Sequence, residues 1–472
     1  MRRVSHRLIR GTALPLVLVL AGCAVGPDYT RPPVETPAAF SENGPWKAAE
    51  PKDSLPKAKW WTIFHDPVLD GLETTAAAAS PTLKAALARY DESLASARLA
   101  RSALYPSLNV EAGAARQLFS GNRQSEYPAT TFAYTSNSFD LPLVLTYEVD
   151  LFGQARRSLE SARALADAQG AIYQNVLLTL QAGVAQNYFT LRSLVTQRAF
   201  LRQDVSLLSD ALDLVRKLRA GGANSDLDVD QAEAELAIVQ ASALAVDQSI
   251  AEQTHALAVL VGQNPDGFAI AAAPLADEAV AIPVGLPSEL LERRPDVAAS
   301  ERTLAAANAR IGVAKAAFFP SIGLTALAGT NSSDLDNLLT WGSRQWAAGP
   351  AVTVPIFNAG ANLANYRQAQ AAYRESLADY GQQVLVAFQE VEDGLSDLRL
   401  LAKQTEVLGR AVGASAGASR LSLVRYKAGL VSYIEVIDSQ RTQLDSEISL
   451  TQARADRLSA TVQLIRALGG GW

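Results

Sequence analysis

Two hydrophobic periods run through the chain. In one, Leu201, Val205, Leu208, Leu212 and Val215 recur at steps of four and three. Leu377, Tyr380, Val384, Phe388, Val391, Leu395 and Leu398 do the same. A 3.5-residue period lays one apolar seam along a helix and packs it in a coiled coil. The helices that carry these seams are predicted near 155–219 and 361–427. At ~65 residues each they would be ~100 Å long, against a usual helix of ~11–12 residues. Ala and Ser between the seam positions leave room for a second neighbour, so these helices suit a ring as well as a pair. In the other period, Leu141, Leu143, Leu145, Tyr147, Val149 and Leu151 alternate with Thr146, Glu148 and Asp150. Val352, Val354 and Ile356 alternate with Ala351, Thr353 and Pro355. Period two means strands, expected near 106–118, 139–151, 320–330 and 347–357.

The strand pattern fits two settings. One is a small half-buried sheet of a soluble protein. The other is a transmembrane barrel, whose strands take ~9–11 residues. Phe132, Tyr134, Phe139, Trp341 and Trp346 lie at or near strand ends, as an interfacial girdle or as ordinary core aromatics. Four strands close no barrel, since roughly eight is the smallest that does. A barrel therefore requires copies of the chain, and three-fold cyclic symmetry gives twelve strands.

The two halves repeat one another. Ala103-Leu104-Tyr105-Pro106-Ser107-Leu108 matches Ala317-Phe318-Phe319-Pro320-Ser321-Ile322. Val149-Asp150-Leu151-Phe152-Gly153 matches Val354-Pro355-Ile356-Phe357-Asn358. Ser225-Asp226-Leu227-Asp228-Val229 matches Ser432-Tyr433-Ile434-Glu435-Val436. The offsets are 214, 205 and 207 residues, in one order. Such spacing marks a global duplication. Each copy reads helix, strand, strand, long helix, turn, helix, with a first helix near 81–104 or 288–317. The turns fall at Gly221-Gly222 and at Gly429, followed by helices near 226–261 and 433–468. The fold class is mainly α with a β-barrel part. The first repeat is assigned to 76–284 and the second to 285–472, after a Pro-rich extended segment at 23–75.

The N-terminus fixes the compartment. Arg2, Arg3, Arg7 and Arg10 precede a short apolar core, Thr12 to Leu20, too short to span a bilayer. Leu20-Ala21-Gly22-Cys23 then reads as a lipoprotein processing site, with 1–22 as the signal peptide. Cys23, the one cysteine of 472 residues, would carry a diacylglyceryl group and an N-acyl chain. A plain signal peptide that contains a cysteine is the alternative. Ala24, rather than Asp, follows the cut, which by the rule for such lipoproteins favours the outer membrane. No later run is apolar enough for a membrane helix, so any crossing needs a closed barrel. One cysteine and three histidines offer no metal cluster, and no cofactor is expected beyond the lipid. A net charge of −6 argues against a nucleic-acid partner. No Walker, GxSxG or HExxH motif occurs, so no enzyme is expected.

Several stretches resemble the outer membrane factor family, TolC-like and of the OprM/NodT lipoprotein type. They are Trp60-Trp61-Thr62-Ile63-Phe64-His65-Asp66-Pro67, Leu290-Leu291-Glu292-Arg293-Arg294-Pro295-Asp296-Val297, and Ala316-Ala317-Phe318-Phe319-Pro320-Ser321. Arg425-Tyr426-Lys427-Ala428-Gly429 and Ala467-Leu468-Gly469-Gly470-Gly471-Trp472 add to them. The resemblance covers nearly the whole chain. It implies a homotrimer with a 12-stranded barrel in the outer membrane of a Gram-negative bacterium, and a long periplasmic α-barrel. It also implies an exit duct for efflux of drugs or other small molecules, or for type I secretion. The implied partners are a periplasmic adaptor and an inner membrane pump, of the resistance-nodulation-division type in the efflux case. A structural coiled-coil lipoprotein is the alternative of another class.

By that resemblance the hairpin tips, 219–228 and 426–438, form the inner mouth of the duct. Glu435 and Asp438 match constriction carboxylates, and Tyr426 matches a tip tyrosine that holds the closed state. Asp228 is the repeat-related counterpart of Glu435. A ring of such acids would favour cations. The family's basic tip residue is replaced here by Val431. Ser225-x-x-Asp228 and Ser432-x-x-Glu435 also read as capping boxes, a sufficient structural role for either acid. The adaptor would contact the tips near Gly221, Gly222 and Gly429, where glycine also serves a tight turn.

Overall fold

The seams become two helices of identical length. In a computed structural model, which describes residues 24–33, 47–48, 59–122, 132–275, 283–284 and 293–470, α3 spans Gln154–Ala220 and α6 spans Ala361–Lys427, 67 residues each. Their partners α4 (Asp226–Leu260) and α7 (Tyr433–Ala467) have 35 residues each. The preceding helices, α2 (Pro81–Ser102) and α5 (Pro295–Ala316), have 22 each. This equality of lengths bears out the duplication. Pro295 opens α5, where a missing N–H costs nothing. The expected start near 288 and the lipidation residue Cys23 lie outside the described residues.

Seam residues Leu201, Leu208, Leu212, Val215, Tyr380, Val384, Val391, Leu395 and Leu398 are buried, whereas Leu377 is exposed. Four helices converge where α3 meets α4 and α6 meets α7. Leu212 and Val215 of α3, Ala232 of α4, and Tyr433, Val436 and Ile437 of α7 form one buried cluster, with Leu423 and Tyr426 of α6 against it.

Among the described residues the chain forms two compact units that do not follow the repeats. One takes residues 1–32, 90–169 and 300–380, and the other 33–89, 170–299 and 381–472. Each draws on both repeats, because the strands of the two halves share one sheet. The segment 23–75 is also not extended throughout, contrary to its proline content. Trp60–Phe64 is a 3-10 helix, and α1 covers Pro67–Ala79. Asp66 caps α1 by accepting from the Val68 and Leu69 amides, and Pro67 takes the first helical position.

The family-like motifs are explained by packing. Trp60, Trp61 and Phe64 are buried, and Trp60 donates to Gln181 at 3.2 Å. Asp66 accepts from Tyr188 at 2.8 Å and Arg192 at 2.7 Å. Arg294 is buried, pairs with Asp296 and Glu390 at 2.6 Å each, and donates to the Ala467 carbonyl that ends α7. Gly469 and Gly470 follow with positive φ, and a Cβ on Gly469 would strike the Arg293 carbonyl.

The other unit holds an antiparallel sheet. β1 (Ser107–Val110) and β2 (Gly113–Phe119) both pair with β3 (Tyr134–Val149), which pairs with β4 (Ser321–Ser332) and that with β5 (Arg344–Thr353). The strand expected at 106–118 is thus interrupted at Glu111 and Ala112, opposite Leu141 and Pro142. Pro142 has no N–H to donate, so the ladder lapses there, although the Glu111 amide still reaches the Pro142 carbonyl at 2.9 Å. Gly329 faces this point, and a Cβ on it would overlap Leu141 and Pro142. β3 starts five residues before the expected 139. Its first residues are polar and gave no alternation, yet they pair fully with β2.

Candidate functional site

The register of the sheet sorts its residues into two chemistries. On one face Leu108 and Val110 lie beside Leu145 and Leu143. Tyr147 and Val149 lie beside Leu324 and Ile322, then Pro350 and Val352, and Ala328 lies beside Trp346. That face is apolar over this band and turns polar beyond it, at Arg116, Asn137, Thr330 and Arg344. The other carries Ser107, Thr146, Glu148, Thr325, Thr353 and the pair Asp140 and Asn331. There Asp140 accepts from Ser138 at 2.9 Å and from Asn331.

Neither face is a core. Among the described strand residues only Pro142 is buried, and Leu108, Val110, Leu118, Leu143, Leu324, Trp346 and Val352 are exposed. A soluble half-buried sheet would cover one face, so that alternative fails. An uncovered apolar face of this extent marks contact with lipid or protein. Both edges, β1/β2 and β5, are unpaired. Among the described residues no helix is long and apolar enough to cross a membrane, so the sheet is the element with membrane chemistry.

The second candidate region is the meeting of the hairpins, which lies wholly in the other unit. α3 and α6 end in the same way. Gly222 has φ +77° and Gly429 has φ +72°. The Ala223 amide reaches back to the Leu218 carbonyl at 2.9 Å, as Leu430 does to Arg425. This is the glycine-terminated Schellman turn, and it needs the left-handed residue. Gly221 has no positive φ, and a Cβ there would make ordinary contacts. The turn thus explains Gly222 and Gly429 but not Gly221.

The two capping boxes differ. Ser225 and Asp228 form one reciprocally, at 2.8 Å from the Ser225 amide to Asp228 and 3.3 Å from the Asp228 amide to Ser225. Asp228 is thereby committed to the start of α4. Ser432 makes no side-chain cap, contrary to the motif, and Glu435 instead accepts from Arg425 at 2.9 Å. Arg425 has no counterpart in the first hairpin that draws Asp228 away from its serine. Both members of the Arg425–Glu435 pair are about half exposed, so it is worth ~1 kcal/mol or less. Asp438 is exposed, and its carboxylate makes no hydrogen bond among the described residues.

Tyr426 has a partner that sequence reasoning missed. Its hydroxyl accepts from Asn224 at 3.1 Å, and its ring lies 5.3 Å from that of Tyr433. Asn224 occupies the position that the repeat places opposite Val431. The basic residue absent at Val431 is replaced by an amide donor from the other hairpin, and the repeat offset is the signal that could have found it.

Deeper in the bundle sits a charge cluster that the motifs did not indicate. Glu235 of α4 has a side chain only 7% exposed and accepts from Arg441 of α7, by Nε at 3.2 Å and by a terminal nitrogen. Asp204 of α3 faces Glu235 and Glu447. Burial first, then these two charges, push its carboxyl up to about 6. Tyr433 and Gln440 each bury an oxygen with no partner. Burial, followed by Tyr426, Glu235 and Asp204, raises the Tyr433 phenol to about 12.

Comparison with known proteins gives these features a context. Residues 73–263 and 286–470 match the family described as outer membrane efflux protein, once per repeat. The solvent efflux pump outer membrane protein SrpC of Pseudomonas putida is 35% identical over 477 residues, covering 98% of each chain. The cation efflux system protein CusC of Escherichia coli is 32% identical over 466 residues, covering 97% of each. The solved structure of the outer-membrane channel OprN matches with a TM-score of 0.87 at 31% identity, over 95% of this chain and all of that one. The chain belongs to the outer membrane efflux protein family and is the outer membrane channel, the exit duct, of an efflux system of Gram-negative bacteria.

Proposed function

We propose that three copies of this chain join their sheets edge to edge into a 12-stranded barrel, with the apolar face toward lipid and the polar face lining a water-filled lumen. The observation that carries this is the uncovered apolar face of a sheet with two unpaired edges. Closure satisfies the edge strands and turns the apolar band toward lipid. Cys23 carries the lipid. The tips around Gly221, Gly222 and Gly429 receive a periplasmic adaptor, which links the duct to a resistance-nodulation-division pump. The cargo is small molecules of the solvent or drug type, as the names of its relatives suggest, and a polypeptide or metabolite cargo would follow from a different pump. The duct performs no chemistry on the cargo, and its energy comes from the pump.

The aperture lies at the tips. Asp438 is its acid ring, since it alone of the expected acids has no structural commitment. Glu435 contributes when its pair with Arg425 opens, and Tyr426 with Asn224 latches the two hairpins. Asp228 caps a helix and does not gate. Single-channel conductance of the purified protein in a planar bilayer tests the reading. Wild type gives rare, small, cation-selective openings, and Glu435→Ala/Asp438→Ala gives frequent, large ones. A silent bilayer from both proteins, with insertion and trimers verified, refutes the duct and revives the structural lipoprotein.

A further inference from the structure

Residues 24–31 lie clamped on the β-sheet unit. The Val25 amide donates to the Phe152 carbonyl at 3.0 Å, and Ala24 packs so closely on Gly153 that a Cβ there would come within 2.6 Å of it. Gly26, at φ +113°, crosses Gly312 of α5 with no room between them. A Cβ on Gly26 would lie 2.5 Å from the Gly312 Cα, and one on Gly312 would lie 2.9 Å from both the Val25 carbonyl and Arg157. The contacts then continue in order along one face of α5. Asn308 donates to the Pro27 carbonyl at 3.0 Å, and Tyr29 donates to Glu301 at 2.9 Å. Arg157, nearly buried, reaches Asp28 at 2.6 Å.

Glycine inside a helix weakens it relative to alanine. Gly312 lies inside α5, four residues before its end at Ala316, and does not cap it, so a helical role does not explain it, whereas the crossing does. Steps of seven and four from Glu301 to Asn308 to Gly312 keep all three on one face. Gly26 to Tyr29 in extended form spans ~10 Å. The helix from Gly312 back to Glu301 rises ~16 Å, and the Tyr29 side chain covers the difference.

We propose that residues 24–31 are a built strap that fixes the acylated N-terminus at the junction of β3 and α3, so that the lipid enters the membrane at a set level beside the base of the sheet. The inference rests on acylation of Cys23. Cys23 immediately precedes Ala24, which is already seated. The lipid is therefore held directly to the folded body, with no leash between them, and it positions the sheet as well as retaining the chain.

The test uses full-length protein expressed with its own leader and recovered from outer membranes. Mass spectrometry of the N-terminal peptide reports acylation, and hydrogen exchange reports the strap. The Val25 amide of wild type exchanges at least tenfold slower than in an unfolded chain. Gly312→Ala, which strengthens helix propensity, releases the strap and removes that protection, while exchange in α5 is unchanged. A ten-residue Gly/Ser insertion between Cys23 and Ala24 keeps the strap seated but lowers the yield of membrane-inserted oligomer severalfold. A wild-type strap that exchanges like unfolded chain overturns the seat. Full yield from the insertion protein overturns the positional role. An N-terminal peptide without lipid overturns the acylation reading, and the positional role with it, even where the strap is protected.

Discussion

Replacing Arg441 by alanine removes the cation that, among the described residues, pairs with Glu235 inside the hairpin bundle. Glu235 is almost wholly buried, whereas the Arg441 side chain is 51% exposed. Stripping the partner from a fully buried pair costs ~3–5 kcal/mol, because a charge is left uncompensated. Solvent at the arginine screens part of that, so about 2 kcal/mol is the expected loss here. The loss depends on pH through Asp204, whose folded-state carboxyl titrates near 6, above its ordinary 3.8. A raised carboxyl means that the folded bundle favours the neutral acid. Stability therefore falls as pH rises from about 4 to 6, and above that Asp204, Glu235 and Glu447 repel, with Arg441 relieving Glu235. Arg441→Ala should melt earlier than wild type by several degrees at pH 8, and the gap should narrow at pH 5. In planar bilayers the same variant should open more often at pH 8 than at pH 5. Equal melting and equal open probability at both pH values would refute the claim that this pair holds the hairpins together.

Four other outcomes follow from the geometry. Glu73 is buried with both oxygens unpartnered, and burial, then Asp70, push it up to about 9 from 4.5. The unfolded chain ionises first, so Glu73→Gln should stabilise progressively from pH 4.5 to 9, by ~3 kcal/mol at pH 7, in thermal melts. Tyr426→Phe breaks the bond to Asn224, costs ~1 kcal/mol, and should raise open probability in bilayers. Ala348→Arg, on the apolar face, should cut membrane insertion through a cost of ~2–4 kcal/mol at mid-membrane, and Thr325→Arg, on the polar face, should insert normally but change ion selectivity. Amides at the start of α7, where Ser432 provides no cap, should exchange faster than those at the start of α4.

The periodic elements were the legible part. The long helices were placed within a residue or two because their seams repeat over many turns. The body of β3 followed from the alternation of Leu141 to Val149, whereas β5 runs from Arg344 to Thr353 and stops short of the expected 357, leaving Val354 and Ile356 outside the sheet because Pro355 has no N–H for the ladder. The early start of β3 was hidden because Tyr134 to Ser138 are polar on both faces, and pairing with β2 decides them. Helix α1 was hidden under prolines that mark helix starts as readily as extended chain. At the site, the glycines of the turns were readable because positive φ narrows the choice to one residue. The acids were not. Ser225-x-x-Asp228 and Ser432-x-x-Glu435 read alike, yet Ser432 makes no side-chain cap and Glu435 turns to Arg425. Asn224 and the Asp204–Glu235–Arg441 cluster join different helices, so no local pattern announces them. Gly312 is explained by the strap that crosses it, a contact between segments far apart in the chain.

The unequal caps bear on how the aperture moves. The first hairpin closes its turn with a reciprocal Ser225–Asp228 clasp. The second relies on an ion pair open to water. The repeat makes the two hairpins alike in sequence, and the clasp forms in only one of them. On the proposed three-fold duct the first hairpin would be a fixed jamb, and the second a leaf whose hinge loosens when salt or a partner's charge competes for Arg425. Jambs and leaves would then alternate around the proposed mouth, and opening would need three elements to move rather than six.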